Sequence, residues 1–163
     1  MVRLRLSIKT DMENVTELQP TDNSFDYFFE VQCNSCHEKH PKFVTLNSTE
    51  EHEASGAGGN VHFAWRCGFC KRESSAKFDQ KFIITPYKIE KNNQFQPLLE
   101  IECRGLEFVG FDPKGTWKCA GTESNPPTIF SEVDLEEKEW TDYDEKAAQP
   151  VQIMGFESRW ERA

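Results

Sequence analysis

Apolar and polar residues alternate along much of the chain with a period of two, the signature of strands with one buried face. Val2, Leu4, Leu6 and Ile8 share one side of the segment Val2 to Thr10, with Arg3, Arg5, Ser7 and Lys9 opposite. Phe25, Tyr27, Phe29 and Val31 alternate with Asp26, Phe28, Glu30 and Gln32 and predict a strand that runs directly into Cys33. Val61, Phe63 and Trp65, set against His62, Ala64 and Arg66, repeat the arrangement into Cys67. Between these strands, Phe43 to Leu46 reads as a return strand. The polar stretch Ser48 to Asn60, with Gly56, Gly58 and Gly59, reads as a mobile loop, with His52 and His62 as surface residues.

Further along, Ala76, Phe78, Phe82 and Ile84 predict one long strand, and Phe95, Leu99, Ile101 and Cys103 line the odd face of the next. Pro97 makes the start of that second strand irregular. The segment Asp11 to Pro20 breaks the alternation and reads as a connector and turn, with Val15 and Leu18 as apolar anchors before Pro20. Phe108, Phe111 and Pro113 repeat that spacing. Each set follows an amphipathic strand and precedes an aromatic one, here Thr116 to Cys119, which hints at an internal duplication. Val151 to Trp160, with Gly155 at its centre, predicts a bulged closing strand. The expected architecture is all-β: a single domain over 1–163 of two pseudo-symmetric antiparallel halves, about 1–90 and 91–163.

Composition supports this reading. The chain has 163 residues, enough for one core without cross-links, and its 13 Phe, 4 Trp and 3 Tyr concentrate apolar area in side chains suited to sheets. The formal net charge of −9 repels a polyphosphate backbone, so nucleic acid is an unexpected partner. No apolar run is long enough for a membrane span and the first residues lack a secretory pattern, so a soluble cytoplasmic protein, also able to enter the nucleus, is expected. In that reducing setting cysteines are metal ligands or free thiols before they are disulfides.

Four of the six cysteines form two C-x-x-C pairs, Cys33/Cys36 and Cys67/Cys70. Each such turn offers two sulfurs to one side of an ion, and two turns complete the tetrahedral shell that zinc prefers. The spacer between the pairs exceeds the usual 15–20 residues or so of a zinc ribbon, and the Gly-rich loop absorbs the excess at small entropic cost. A four-thiolate zinc has no open position for a catalytic water, so one structural Zn²⁺ per chain is expected. Its site charge of about −2 could be offset by Lys39, Arg66, Lys71 and Arg72. A thioredoxin-type redox role would need a helix after the pair, and neither pair has one. His37 and His40 read as solvated loop residues beside a shell already filled.

The cysteine pairs, together with Glu102-Cys103-Arg104-Gly105-Leu106-Glu107 and Trp140-Thr141-Asp142-Tyr143-Asp144-Glu145-Lys146, resemble the eukaryotic CXXC-motif-containing zinc-binding protein family across essentially the whole chain. The resemblance implies an all-β domain in two related halves, with Cys33, Cys36, Cys67 and Cys70 holding one zinc and no established enzymatic reaction.

Of the remaining cysteines, Cys103 lies on an apolar strand face and reads as a buried thiol. Cys119 is the one candidate nucleophile: Lys118 beside it could lower its pKa, and methionine-sulfoxide reductases also combine paired C-x-x-C zinc turns with a separate catalytic cysteine. The acidic run around Trp140 and Tyr143 reads as a loop pinned by its aromatics, with a docking surface for a basic partner as the alternative. The expected function is a monomeric, non-catalytic protein-binding or adaptor module, in a setting such as metal homeostasis. A thiol-dependent reductase using Cys119 and a nucleic-acid-associated zinc ribbon remain as alternatives.

Overall fold

The computed structural model describes residues 2–54, 59–82 and 84–163, and its regular elements are fourteen strands and one 3₁₀ turn. In chain order the strands are β1 (Val2–Glu13), β2 (Val15–Pro20), β3 (Tyr27–Cys33), β4 (Val44–Leu46), β5 (His52–Ala54), β6 (Gly59–Val61) and β7 (Phe63–Arg66). They continue as β8 (Glu73–Phe78), β9 (Gln96–Arg104), β10 (Leu106–Asp112), β11 (Thr116–Gly121), β12 (Ile129–Asp134), β13 (Trp140–Asp144) and β14 (Gln149–Arg162), with the 3₁₀ turn at Ile89–Lys91. The all-β expectation holds.

One six-stranded sheet runs β13-β14-β1-β9-β8-β7, flanked by the three-stranded sheets β10-β3-β4 and β12-β11-β2 and by the β5-β6 ribbon. The paired ladders are antiparallel. β1 lies at the centre because its alternation feeds one core: Leu4, Leu6 and Ile8 are buried, while Arg5 and Arg3 face Glu100 and Glu102 across the β9 ladder. The core is strongly aromatic. Phe29 packs edge-on against Phe108 at 5.1 Å and Trp160 at 5.0 Å, and Trp117 meets Phe156 at 5.9 Å and Phe25 at 5.3 Å. Such offset and edge-to-face pairs add to simple area burial. Trp117 is fully buried and donates its indole N–H to the Pro113 carbonyl at 2.8 Å, so its polar group is not stranded.

Several expectations change. Asp11 to Pro20 is not a connector: β1 continues to Glu13 and β2 follows. Asn14 and Glu17 break the alternation by adopting positive φ, 64° and 57°. The ladder to β11 shifts register there, and Leu18 pairs instead with Tyr87. The long strand through Ile84 ends at Phe78, where the Asp79 side chain accepts the Lys81 N–H at 3.0 Å and turns the chain. The Ser48–Asn60 loop contributes β5 and β6; its residues 55–58, Gly56 and Gly58 among them, lie outside the described set. His62 is buried, not on the surface, and links two elements: Nδ1 accepts the Phe78 N–H at 3.1 Å and Nε2 lies 3.1 Å from the Ser48 carbonyl. Burial pushes its pKa down, keeping it neutral. The closing strand is bulged as expected: the β1 register slips between Lys9 and Asp11, opposite Gly155 at φ 63°.

Candidate metal centre

The two cysteine pairs sit at the ends of β3 and β7, Cys33 closing β3 and Cys67 following β7, in turns that match bond for bond. In the first, the His37 N–H donates to the Cys33 carbonyl at 2.9 Å and the Cys33 N–H to the Glu38 carbonyl at 2.9 Å. In the second, the Lys71 N–H donates to the Cys67 carbonyl at 2.9 Å and the Cys67 N–H to the Arg72 carbonyl at 3.0 Å. The residue after each second cysteine takes a left-handed conformation, His37 at φ 63° and Lys71 at φ 67°. That reversal curls each turn so that both of its sulfurs face the same way.

The turns then face each other. All four Sγ atoms lie within 4.8 Å of one another, and two approaches cross between the turns, Cys33 to Cys70 and Cys36 to Cys67, each 3.6 Å. A tetrahedron with Zn–S bonds of about 2.3 Å has edges of about 3.8 Å, so the sulfurs already stand at nearly the spacing a zinc ion requires. The cluster can coordinate one metal ion, and no fifth His, Cys, Asp or Glu donor joins it among the described residues.

The electrostatics ask for a cation. The Cys36 and Ser35 backbone N–H groups aim at Cys33 and hold its thiol down to about 7. Those of Cys70 and Phe69 lower Cys67 in the same way. Cys36 accepts the Glu38 N–H, yet burial and the nearby sulfurs of Cys67, Cys33 and Cys70 outweigh that bond and push it up to about 12. Four thiols this close cannot all ionise with nothing positive between them.

The second family-like block explains how the turns are seated. Gly105 joins β9 to β10 at φ 81°, its carbonyl accepts the Asn34 N–H at 3.1 Å, and a Cβ there would lie 2.9 Å from Ser74 Oγ. A side chain at this left-handed position would crowd Ser74 and the Glu73 carbonyl in β8, so glycine suits this corner. Of the expected counter-charges, Lys39 reaches Glu30 at 3.5 Å, Arg66 reaches Glu73 at 3.9 Å, and Lys71 donates to the Gly68 carbonyl at 2.8 Å. They brace the surroundings of the sulfurs. His37 is exposed, and His40 packs near Trp65 at 5.5 Å, consistent with their reading as loop residues. The sequence reading passed over Phe69, which stands 72% exposed at the tip of the second turn. Its signal was available: an aromatic inside a tight C-x-x-C turn, beside Gly68, has no core to enter.

The other sites are quieter. Cys119 is only 3% exposed and burial pushes its thiol up to about 12, the opposite of an activated nucleophile. Cys103 is buried, with its thiol pushed up to about 11 by desolvation. The Trp140–Asp144 stretch is the edge strand β13 and not a loop: Trp140 packs against Phe130 at 5.4 Å, whereas Tyr143 stays 52% exposed. No described helix is long and apolar enough to cross a membrane.

Comparison with known proteins gives a consistent answer. The chain is 36% identical over 153 residues to the Homo sapiens CXXC motif containing zinc binding protein, covering 94% of each. It is 35% identical over 160 residues to the Xenopus laevis protein of the same name, covering 98% of each. Its fold superposes on the crystal structure of C1orf123 with a TM-score of 0.91, at 34% identity and 99% coverage of both chains. The sequence profile described as CXXC motif containing zinc binding protein, eukaryotic, matches residues 5–161, and the chain therefore belongs to that family of zinc-binding proteins.

Proposed function

We propose that Cys33, Cys36, Cys67 and Cys70 hold one structural zinc ion, and that the protein is a non-catalytic, protein-binding module that works as a cytoplasmic monomer. The observation that carries this reading is the complete four-sulfur cluster at the ends of two strands. Such a shell leaves no position for an activated water, so the metal fastens the chain and does not react. Phe69, carried outward on the fastened turn, is the type of aromatic that anchors a protein partner. The buried Cys119 supplies no support for a thiol reductase, and the net charge of −9 supplies none for a nucleic-acid ribbon.

We also infer that the chain is one domain made of two related units, about 1–90 and 91–163. The reading is supported by reciprocal pairing: β1 pairs with β9, β2 with β11 and β10 with β3, while β14 and β8 flank the central pair and β13 and β7 form the edges.

Elemental analysis of purified protein tests the metal assignment. Wild type should carry one zinc per chain, and Cys67→Ser should lose most of it; full occupancy in that variant would overturn the ligand set. Affinity capture from cells with wild type and Phe69→Ala tests the docking role, with loss of a reproducible partner expected for the variant.

A further inference from the structure

A second site lies away from the sulfurs, in a cleft of about 270 Å³ bounded by β3, the end of β8, the Asp79–Phe82 turn and β9. Tyr27, Phe78 and Phe82 supply aromatic walls, and His62, Asp79 and Glu100 supply polar ones. The polar groups can be accounted for one at a time. Both ring nitrogens of His62 are engaged, by the Phe78 N–H and the Ser48 carbonyl. Asp79 accepts the Lys81 N–H with one oxygen and faces Arg3 at 3.6 Å with the other. Glu100 is different. Arg5 approaches a single oxygen, Oε2, through Nε at 3.0 Å and through Nη2 at 2.9 Å, and Oε1 has no hydrogen bond among the described residues. Glu100 is 8% exposed overall, and the free Oε1 retains contact with water. The Tyr27 hydroxyl also lacks a partner among the described residues, in a side chain belonging to a residue 3% exposed.

A carboxylate oxygen with no protein donor is satisfied by water, and an occupant that displaces that water must bring N–H or O–H groups of its own. The three aromatic rings that line the same cleft favour a cation over a neutral donor, because their faces are electron-rich. The net charge of −9 also favours a positive guest. At about 30 Å³ per water the cleft has room for about nine waters, enough for an amine on a short carbon stem. Phe82 and Ile84 near the mouth, and Leu99, would line that stem.

We propose that this cleft binds an alkylammonium group, with Glu100 Oε1 accepting its N–H and Tyr27, Phe78 and Phe82 enclosing its charge and stem. The group could belong to a free small amine or to a lysine side chain of another protein, and the probes below separate the two. The site is independent of the zinc reading, since none of its lining residues touches the sulfur cluster.

The test is a titration of the ¹⁵N-labelled, zinc-loaded full chain followed by amide chemical shifts. With n-butylammonium, saturable shifts should centre on Tyr27, Phe78, Asp79 and Glu100, and n-butanol, the same stem without the charge, should bind about tenfold more weakly. Glu100→Gln, which keeps the shape, should weaken the amine by about tenfold and leave butanol unchanged. Phe82→Ala, at a half-buried position near the mouth, should weaken the amine severalfold without disturbing the core, and it keeps the test valid if the Glu100 variant misfolds. A Gly-Gly-Lys-Gly-Gly peptide that binds more tightly than butylammonium identifies a lysine side chain as the source, and the reverse order identifies a free amine. Equal binding of butanol and butylammonium, shifts scattered outside the cleft, or full affinity in both variants would each overturn the proposal.

Discussion

The loops after β3 and β7 and the loops after β11 and β13 are fastened by different chemistry. The first two meet through four sulfurs within 4.8 Å of one another. The second two meet through a carboxylate: Asp144, fully buried, accepts the Thr128 hydroxyl at 2.7 Å and the N–H groups of Lys146 and Ala147 at 3.1 and 3.2 Å. Those bonds, the Thr128 hydroxyl first, hold its pKa below the usual carboxylate value of 3.8. Gly121 comes close enough that a Cβ would lie 2.5 Å from Asp144 Oδ2. A metal clasp is strong but conditional on metal supply, whereas the carboxylate clasp needs only the chain itself.

That contrast is open to attack in three ways. Removing zinc with a chelator at neutral pH should have the largest effect, because metal-binding free energy is folding free energy at such sites. Thermal unfolding should fall by about 15 °C or more, and amide exchange should accelerate around Cys33–Glu38 and Cys67–Glu73 well before it does around Asp144. Equal loss of protection at both loop pairs would show that the clasps are not separate. Asp144→Ala should lower the melting temperature less, by roughly 5 °C, through the unpaired Thr128 hydroxyl and turn N–H groups, with zinc content unchanged. A fall in zinc stoichiometry in that variant would tie the clasps together.

The smallest effect is in the acid limb. Because the folded pKa of Asp144 lies below 3.8, its charge contributes stability above that pH, and the contribution disappears as pH falls through the folded value. The gap in melting temperature between wild type and Asp144→Asn should therefore be full at neutral pH and shrink as the pH falls below 3.8 and through the folded value. Zinc release affects both proteins alike and cancels. A constant gap down to that pH would mean that shape, and not charge, makes the second clasp.

The two clasps also differ in how legible they were from sequence. Cysteine spacing points directly to the candidate metal site, because few other uses of paired C-x-x-C turns exist outside a helix setting. Asp144 sits in an acidic run where every carboxylate looks solvated, and nothing local marks the one that Thr128 reaches from 16 residues away. Strands with clean alternation, such as Val2 to Thr10 and Phe25 to Gln32, were readable. Segments where a bulge resets the period were not: β2 looked like a connector because Asn14 and Glu17 turn the backbone, and β8 looked too long because Phe82 and Ile84 happen to keep phase after the Asp79 turn. His62 and Glu100 were missed for a related reason. Their burial depends on elements distant in sequence, Ser48 and Phe78 for one and Arg5 for the other.

The exchange of partners between β2 and β11, and between β10 and β3, bears on the order in which the protein can be made. During synthesis all four thiols leave the ribosome before β9 and β10 exist, so β3 lacks its neighbour β10 and the Gly105 corner that seats the first cysteine turn is missing. The first strand has to wait longer still, for β14, the last strand in the order. The central sheet is therefore complete only once β14 has emerged, and until β10 has emerged the four thiols belong to turns whose scaffold is unfinished.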